Sequence, residues 1–252
     1  LPLQIRETRR PAKLGAFGQA AGAFTLEQIA AFSSAQLLGL TRTEVASWSS
    51  TQFGALSAGQ LDALTASAFS GVSGADVSVL TADEIAVLTP AELSALSASA
   101  MSGFSPEQVA LLSATQLRAF SASQVGGFDP RALDGLSVDQ LSALTATQMR
   151  GLTSAQVGEL SLPQLGALAA TQLAALGAGA VAGLLDTQAA ALAATQLVGF
   201  SALQLGALTT TAFGALTPAQ VSALSTTQIK GLSASMLGRL SAQQLGALTS
   251  TQ

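Results

Sequence analysis

The sequence predicts an all-α fold, a solenoid of short helices with one helix in every eight-residue repeat. Three observations predict it. From Thr25 to Leu248 one octad recurs 28 times without insertion or deletion, with the consensus [Ser/Thr]-x-x-Gln-[Leu/Val/Ile]-x-[Ala/Gly]-Leu. Positions 1 and 4 of the octad carry the signature of a helix start. Positions 5 and 8 are apolar in all 28 octads.

The repeat divides the chain into three segments. Residues 1–24 precede the array, residues 25–248 form it, and residues 249–252 begin a further octad. The octads are numbered here from octad 1 (25–32) to octad 28 (241–248). Because the period is fixed, the length of the chain counts repeats and does not indicate a number of globular domains.

Positions 1 and 4 predict a capping box in most octads. Ser or Thr occupies position 1 in 23 of the 28 octads and Asp129 in one more. Gln occupies position 4 in 18 octads, and Glu44, Glu84 and Glu92 replace it in three others. In a capping box the hydroxyl accepts from the backbone N–H three residues later, and the Gln or Glu side chain accepts from the N–H of position 1. One helix therefore begins in each octad.

The prolines agree with this register. Pro90, Pro106, Pro130 and Pro218 all occupy position 2, the first helical residue, where a missing N–H costs no hydrogen bond. Pro163 occupies position 3, still within the first turn. We expect each helix to cover roughly positions 2 to 8, about two turns.

The apolar positions predict how these helices pack. Positions 5 and 8 are three residues apart and share one helix face, so they should point to the interior, and positions 2, 3 and 6 should point to solvent. Position 7 is Ala or Gly in 22 octads, which allows neighbouring helices to approach closely. Since isolated helices shorter than about 12 residues are marginal in water, the neighbouring repeats must supply the stability.

Two other folds can also be built from short repeats. A continuous helix turns about 100° per residue, so an eight-residue stripe would drift by about 80° per repeat, which excludes a coiled coil. A β-solenoid remains an alternative, because parallel β-helices also use short repeats. Against it, positions 5, 7 and 8 do not alternate, and Ala, Leu and Gln dominate where β-branched residues are expected.

A longer period lies over the octad. Glycine recurs at position 7 at intervals of 32 residues or a multiple of 32, with Ala167 as the interruption. The members of this series are Gly39, Gly71, Gly103, Gly135, Gly199 and Gly231. Two interpretations stay open: four octads make one turn of the solenoid, or the gene grew by duplication in blocks of four octads.

The composition argues against an enzyme. The chain has no Cys and no His, so it lacks a thiolate nucleophile, the usual zinc ligands and the commonest acid–base residue. The paired carboxylates Asp83 and Glu84 lie near a helix start, where capping explains them, and the looser acidic group Asp129, Asp134 and Asp139 is not a convincing catalytic site either. We predict no catalytic site, no cofactor and no metal.

A membrane span is not expected either. The best candidate, from Leu162 to Leu185, has no charge and is long enough to cross a bilayer, but Gln164, Thr171 and Gln172 interrupt it at the usual octad phase. It is therefore interpreted as repeats that happen to lack charge.

Charge separates the first segment from the array. Residues 1–24 have a net charge of +3, from four basic residues against Glu7, and the remainder has −7. The basic residues are Arg6, Arg9, Arg10 and Lys13. One interpretation is a solvated terminus, and the other is an arm that docks on the acidic repeats of a neighbouring copy. Nucleic acid is not an expected partner, because no aromatic residues are interleaved with these charges.

The last octad predicts a contact between copies. Ser241 to Leu248 follows the consensus, and residues 249–252 start another octad, so Leu245 and Leu248 should present an apolar surface. Stacking this surface on the front of another copy is a heterologous contact that generates an open fibre.

The repeat, over residues 25–252, resembles the Leu-[Thr/Ser]-x-x-Gln-[Leu/Val]-x-Ala-Leu arrays of large exported and cell-surface proteins of bacteria. Such arrays are often described as adhesin-like or as surface filaments. The resemblance implies an extracellular or cell-surface place and a partner that is another copy or another surface. We therefore expect a non-catalytic subunit of a head-to-tail filament, with a stalk, spacer or binding module of a larger adhesin as the alternative.

Overall fold

The computed structural model describes residues 22–252 and divides into two compact units, one ending at Phe104 and the other running from Ser105 to Gln252. No strand occurs in the described residues, so the β-solenoid alternative is wrong and the all-α solenoid of short helices is confirmed. The segment holding Arg6, Arg9, Arg10 and Lys13 lies outside the described residues.

Each of the 28 octads contains one helix. In the first unit the helices are Leu26–Ala30, Ser34–Leu37, Arg42–Val45, Ser50–Phe53, Ala58–Leu61, Ala66–Phe69, Gly74–Ser78, Ala82–Val87, Pro90–Ala95 and the 3-10 helix Ala100–Gly103. In the second unit they are Pro106–Ala110, Ala114–Arg118, Ala122–Gly127, the 3-10 helix Pro130–Gly135, Val138–Ser142, Ala146–Met149, Ser154–Glu159, Leu162–Ala167, Ala170–Ala175, Ala178–Val181, Asp186–Ala191, Ala194–Leu197, Ala202–Ala207, Thr210–Gly214, Pro218–Ser222, Thr226–Lys230, Ala234–Leu237 and Ala242–Gly246.

The helices are shorter than predicted. Each begins at position 2, as expected, except the 3-10 helix Ala100–Gly103, which begins at position 4; each has only four to six residues and ends at position 5, 6 or 7. Position 8 does not continue the helix: Leu88, for example, has ψ 123° and Leu160 has ψ 130°. The prediction of two full turns is therefore wrong, because the chain must turn at position 8 to reach the extended residue that caps the next helix.

The predicted helix starts are confirmed. In octad 17, Thr153 is extended, its hydroxyl accepts from Gln156 N–H at 3.3 Å, and Gln156 Oε1 accepts from Thr153 N–H at 2.9 Å. Asp129 caps its helix by accepting from Arg131 N–H at 3.0 Å. Pro163 lies within the first turn, as do the four prolines at position 2.

The cap hydroxyl supplies a modest part of the stability. We expect Thr153→Ala to lower the free energy of unfolding by about 1 kcal/mol, because the N–H of Gln156 loses its acceptor while the glutamine half of the box remains. Urea denaturation followed by circular dichroism measures this change. Thr195→Ala is the control: Thr195 is an exposed threonine at position 3, and its loss should change stability by less than about 0.5 kcal/mol. Equal effects of the two substitutions would contradict the capping role.

The interior is built from positions 5 and 8, as predicted. Every position-5 side chain from Ile29 to Val221 is buried, and so is every position-8 side chain from Phe32 to Leu224. Burial of these side chains from water is the main stabilising contribution, since each short helix has too few internal hydrogen bonds to persist alone.

Within each unit, helices contact the helices three octads further along the chain. Octad 6 packs on octad 9 in the first unit, and octad 20 packs on octad 23 in the second. Side-chain hydrogen bonds join residues 28 to 31 positions apart, as in the bonds from Gln60 to Phe32 and Ile29. One coil therefore closes between three and four octads. A coil is therefore shorter than the four full octads that one interpretation assumed. Glycines of the 32-residue series still lie at contacts between coils: a Cβ on Gly103 would lie 1.9 Å from the carbonyl oxygen of Gly74, and one on Gly135 would lie 1.8 Å from that of Pro106.

Candidate functional site: the contact surface between coils

The glutamine at position 4 joins one coil to the coil before it. Gln156 is fully buried and uses both ends of its amide group. Its Oε1 accepts from the cap N–H of Thr153, while its Nε2 donates to the carbonyls of Val125 at 2.9 Å and Phe128 at 3.0 Å. The side chain therefore caps its own helix and satisfies carbonyl groups of the preceding coil.

The same contact recurs along both units. A position-4 Nε2 donates to the position-8 carbonyl 28 residues earlier and, in most cases, also to a position-5 or position-6 carbonyl. The glutamines in this arrangement are Gln52, Gln60, Gln140, Gln148, Gln156, Gln164, Gln172, Gln188, Gln196, Gln204, Gln220, Gln228 and Gln244. We call this row the glutamine seam.

The sequence held a signal for the seam. A capping box accepts Glu as readily as Gln, yet position 4 has 18 Gln and three Glu. Three of the five octads that have lost the cap hydroxyl also keep the glutamine, and the N–H groups of Ala169 and Ala193 still donate to Gln172 and Gln196. Both facts are explained by the amide donor, which a carboxylate lacks.

Position 7 brings two backbones together beside the seam. A Cβ built on Gly151 would lie 1.9 Å from the carbonyl oxygen of Ala122, and one built on Gly183 would lie 2.0 Å from that of Ser154. These partners are 29 residues apart in both cases, at position 2 of the earlier octad. The predicted close approach at position 7 is therefore confirmed at these glycines, which lie outside the 32-residue series.

The predicted assembly residues Leu245 and Leu248 lie at one end of the second unit. Leu245 is 50% exposed and Leu237 is 36% exposed, although both occupy position 5, and Leu248 is partly exposed. Their counterparts in earlier octads are covered by the following coil. Gln252 extends the seam by one step, because its Nε2 donates to the Ser222 carbonyl at 3.2 Å.

Several carboxylates accept hydrogen bonds at helix starts. Glu84 accepts from Thr81 N–H at 2.8 Å, so it acts as a cap residue, as predicted. Hydrogen bonds to its own backbone N–H and to the Thr25 hydroxyl lower the pKa of Glu27, and the equivalent bonds involving Ser105 lower the pKa of Glu107. Residues 22–252 contain no cluster of three or more potential metal ligands.

Two further findings bear on function. None of the helices in the described part of the chain has the length and apolar character needed to cross a membrane. No protein-family model matches the chain, and no curated protein shows significant similarity to it. The repeated contact between coils is therefore the feature from which a function can be inferred.

Proposed function

We propose that the protein is a structural, non-catalytic repeat protein that assembles head to tail into a filament. The observation that carries the proposal is the repeated contact between coils, in which the apolar side chains at positions 5 and 8 are buried; Leu237, Leu245 and Leu248 are the side chains of these positions that stay exposed or partly exposed in the last described octads. Residues at the same octad positions are buried by the next coil wherever a next coil follows. The first coil of a second copy has the matching pattern and would bury these side chains in the same way.

The seam supplies complementary polar groups for this contact. Gln28 and Gln36 occupy position 4 near the start of the described chain, are partly exposed, and use their Oε1 atoms as cap acceptors. Their amide groups are the donors that a head-to-tail contact needs. At the other end, the carbonyls of Leu240 and Leu248 occupy position 8, the acceptor position of the seam, and receive no glutamine within residues 22–252.

Charge supports the same arrangement. Residues 43–117 contain seven acidic residues and no basic residue, so this stretch carries an uncompensated negative charge. The four basic residues Arg6, Arg9, Arg10 and Lys13 complement it, and we propose that they bind the acidic repeats of a neighbouring copy. An extracellular or cell-surface place is proposed on the resemblance of the repeat to bacterial surface arrays.

Sedimentation velocity over a range of concentrations tests the assembly. We expect the mass of the particles to grow with concentration. Leu245→Glu should weaken association at least about tenfold, because it places a charge in a surface that must lose water. The matched control is Leu203→Glu, since Leu203 is 75% exposed at position 3 and away from the proposed contact.

A second set of variants tests the basic residues. Replacing Arg6, Arg9, Arg10 and Lys13 by Gln should weaken association, and added salt should weaken the wild type in the same direction. A chain that stays monomeric at all concentrations, or a Leu245→Glu variant that associates like the wild type, would reject the filament. The monomeric outcome would favour the alternative, a stalk or spacer of a larger adhesin, in which the exposed leucines are covered by further octads.

A further inference from the structure

In the first unit, carboxylates replace the glutamine of the seam in several octads. Glu92, at position 4 of octad 9, is only 3% exposed. Its Oε2 accepts from the N–H of Thr89 at 2.7 Å and from the Thr89 hydroxyl at 2.9 Å. This oxygen therefore accepts the cap hydrogen bond that glutamine Oε1 accepts in other octads, so the helix start is capped.

The second part of the contact, the hydrogen bond from position 4 to the preceding coil, is different at Glu92. In the glutamine octads, Nε2 donates to carbonyls 28 and 31 residues earlier, as Gln60 does to Phe32 at 2.9 Å and to Ile29 at 3.0 Å. By this register the acceptors available to position 92 are the carbonyls of Leu61 and Leu64. An ionised carboxylate has no hydrogen to donate to them.

Glu44 shows the consequence directly. It occupies position 4 of octad 3, is 2% exposed, and its Oε2 accepts from Thr41 N–H at 2.8 Å. Its Oε1 is buried and has no hydrogen-bond partner. At Glu44 the carboxylate thus leaves one buried oxygen unsatisfied, which is costly in an interior of low dielectric constant.

The preceding coil and the adjoining octads bring no positive charge to Glu92. Octads 5 and 6, which precede it by one coil, contain Asp62 as their single charged residue, and the adjoining octads 8 and 10 add only Asp83 and Glu84. Burial raises the pKa of Glu92, hydrogen bonds from Thr89 oppose this rise, and the charge of Asp62 adds to it. The net direction is upward.

We propose that Glu92 is a proton-dependent clamp between coils. When the carboxyl group is protonated, its Oε1–H donates to the carbonyls of Leu61 or Leu64 and restores the bond that glutamine makes elsewhere. When the proton leaves, this donor is lost, a buried negative charge faces carbonyl oxygens, and octad 9 is held less firmly to the preceding coil.

The direction of the pH dependence follows from the raised pKa of Glu92. The folded chain binds the proton more tightly than the unfolded chain, in which glutamate has a pKa of about 4.3. The clamp therefore stabilises the fold fully below that value. The stabilisation decreases as pH rises through the higher pKa of the folded state.

Glu92→Gln tests the clamp, because it makes the donor permanent. The thermal midpoint of the full chain is measured by circular dichroism for wild type and variant between about pH 4 and pH 8. We expect little difference at the acidic end and a variant that is more stable by roughly 2–4 °C at the alkaline end. Hydrogen exchange of residues 89–96 should slow by about fivefold in the variant at the alkaline end alone.

Gln60→Glu is the reciprocal variant, since it removes a donor that contacts Ile29 and Phe32. It should create a new loss of stability at high pH. Asp83→Asn is the control, because Asp83 is exposed at position 3, and it should leave the difference between acid and alkaline midpoints unchanged. A Glu92→Gln variant whose midpoint differs from wild type by the same amount at every pH would overturn the proposal, and so would a Gln60→Glu variant without new pH dependence.

Discussion

Gln156→Leu is expected to lower the free energy of unfolding by about 2–5 kcal/mol, although leucine is a good helix former and fills a similar volume. The substitution removes the acceptor of Thr153 N–H and the donor to the carbonyls of Val125 and Phe128. Val125 O still accepts from Phe128 N–H at 3.4 Å. The Thr153 N–H loses its acceptor and the Phe128 carbonyl loses the bond from Gln156, and the loss of such a bond by a buried group costs about 1–3 kcal/mol.

Urea denaturation followed by circular dichroism measures this loss. Gln243→Leu is the matched control, because Gln243 is exposed at position 3 and its side chain makes no hydrogen bond in the described structure. Its effect should stay within about 0.5 kcal/mol. Gln156→Glu separates capping from the contact between coils, because glutamate keeps the acceptor for Thr153 N–H and removes the donor to Val125 and Phe128. If Gln156→Leu proved as stable as Gln243→Leu, the glutamine seam would not be what holds the coils together.

The parts of the fold that depend on eight consecutive residues could be predicted from the sequence. A hydroxyl at position 1, a glutamine at position 4 and proline at position 2 define a helix start by contacts within one octad, and the structure has them as expected. The inward direction of positions 5 and 8 also follows locally, because a spacing of three residues defines one helix face.

The number of octads per coil could not be predicted in this way. It depends on the angle between successive helices, which position 8 determines through its backbone, as at Leu88 with ψ 123°. A small change in this angle, added over several octads, changes which residues meet one coil later. For this reason the partners of Gln156, 28 and 31 residues away, were not evident from the sequence, although the preference for Gln over Glu indicated that a donor was needed.

The candidate assembly surface was predicted in part. Leu245 and also Leu237 are exposed in the structure, and a role for these residues in assembly stays a prediction. The role of Glu92 was not foreseen, because a capping box treats Glu and Gln as equivalents. The difference between them matters only once the carbonyls of the preceding coil are in place.

Gly151→Ala is expected to destabilise the second unit by about 3 kcal/mol, at the upper end for overpacked interiors. The added Cβ would lie 1.9 Å from the Ala122 carbonyl oxygen and 2.5 Å from its carbon, and both are backbone atoms that no side-chain rotation can move aside. The two coils must separate, which lengthens the neighbouring seam bonds from Gln148 and Gln156. Hydrogen exchange near both contacts should therefore increase.

Gly166→Ala is the matched substitution, because Gly166 lies in the helix Leu162–Ala167 and a Cβ there would meet nothing within 4 Å. Alanine has the higher helix propensity, so this variant should be neutral or more stable by up to about 1 kcal/mol. Both substitutions add the same methyl group to the same unit. A difference in stability between them therefore reports the space around each glycine and not the loss of glycine itself. Equal stability of Gly151→Ala and Gly166→Ala would mean that the backbones at position 7 are not in contact, and the packing of position 7 against position 2 of the previous coil would have to be abandoned.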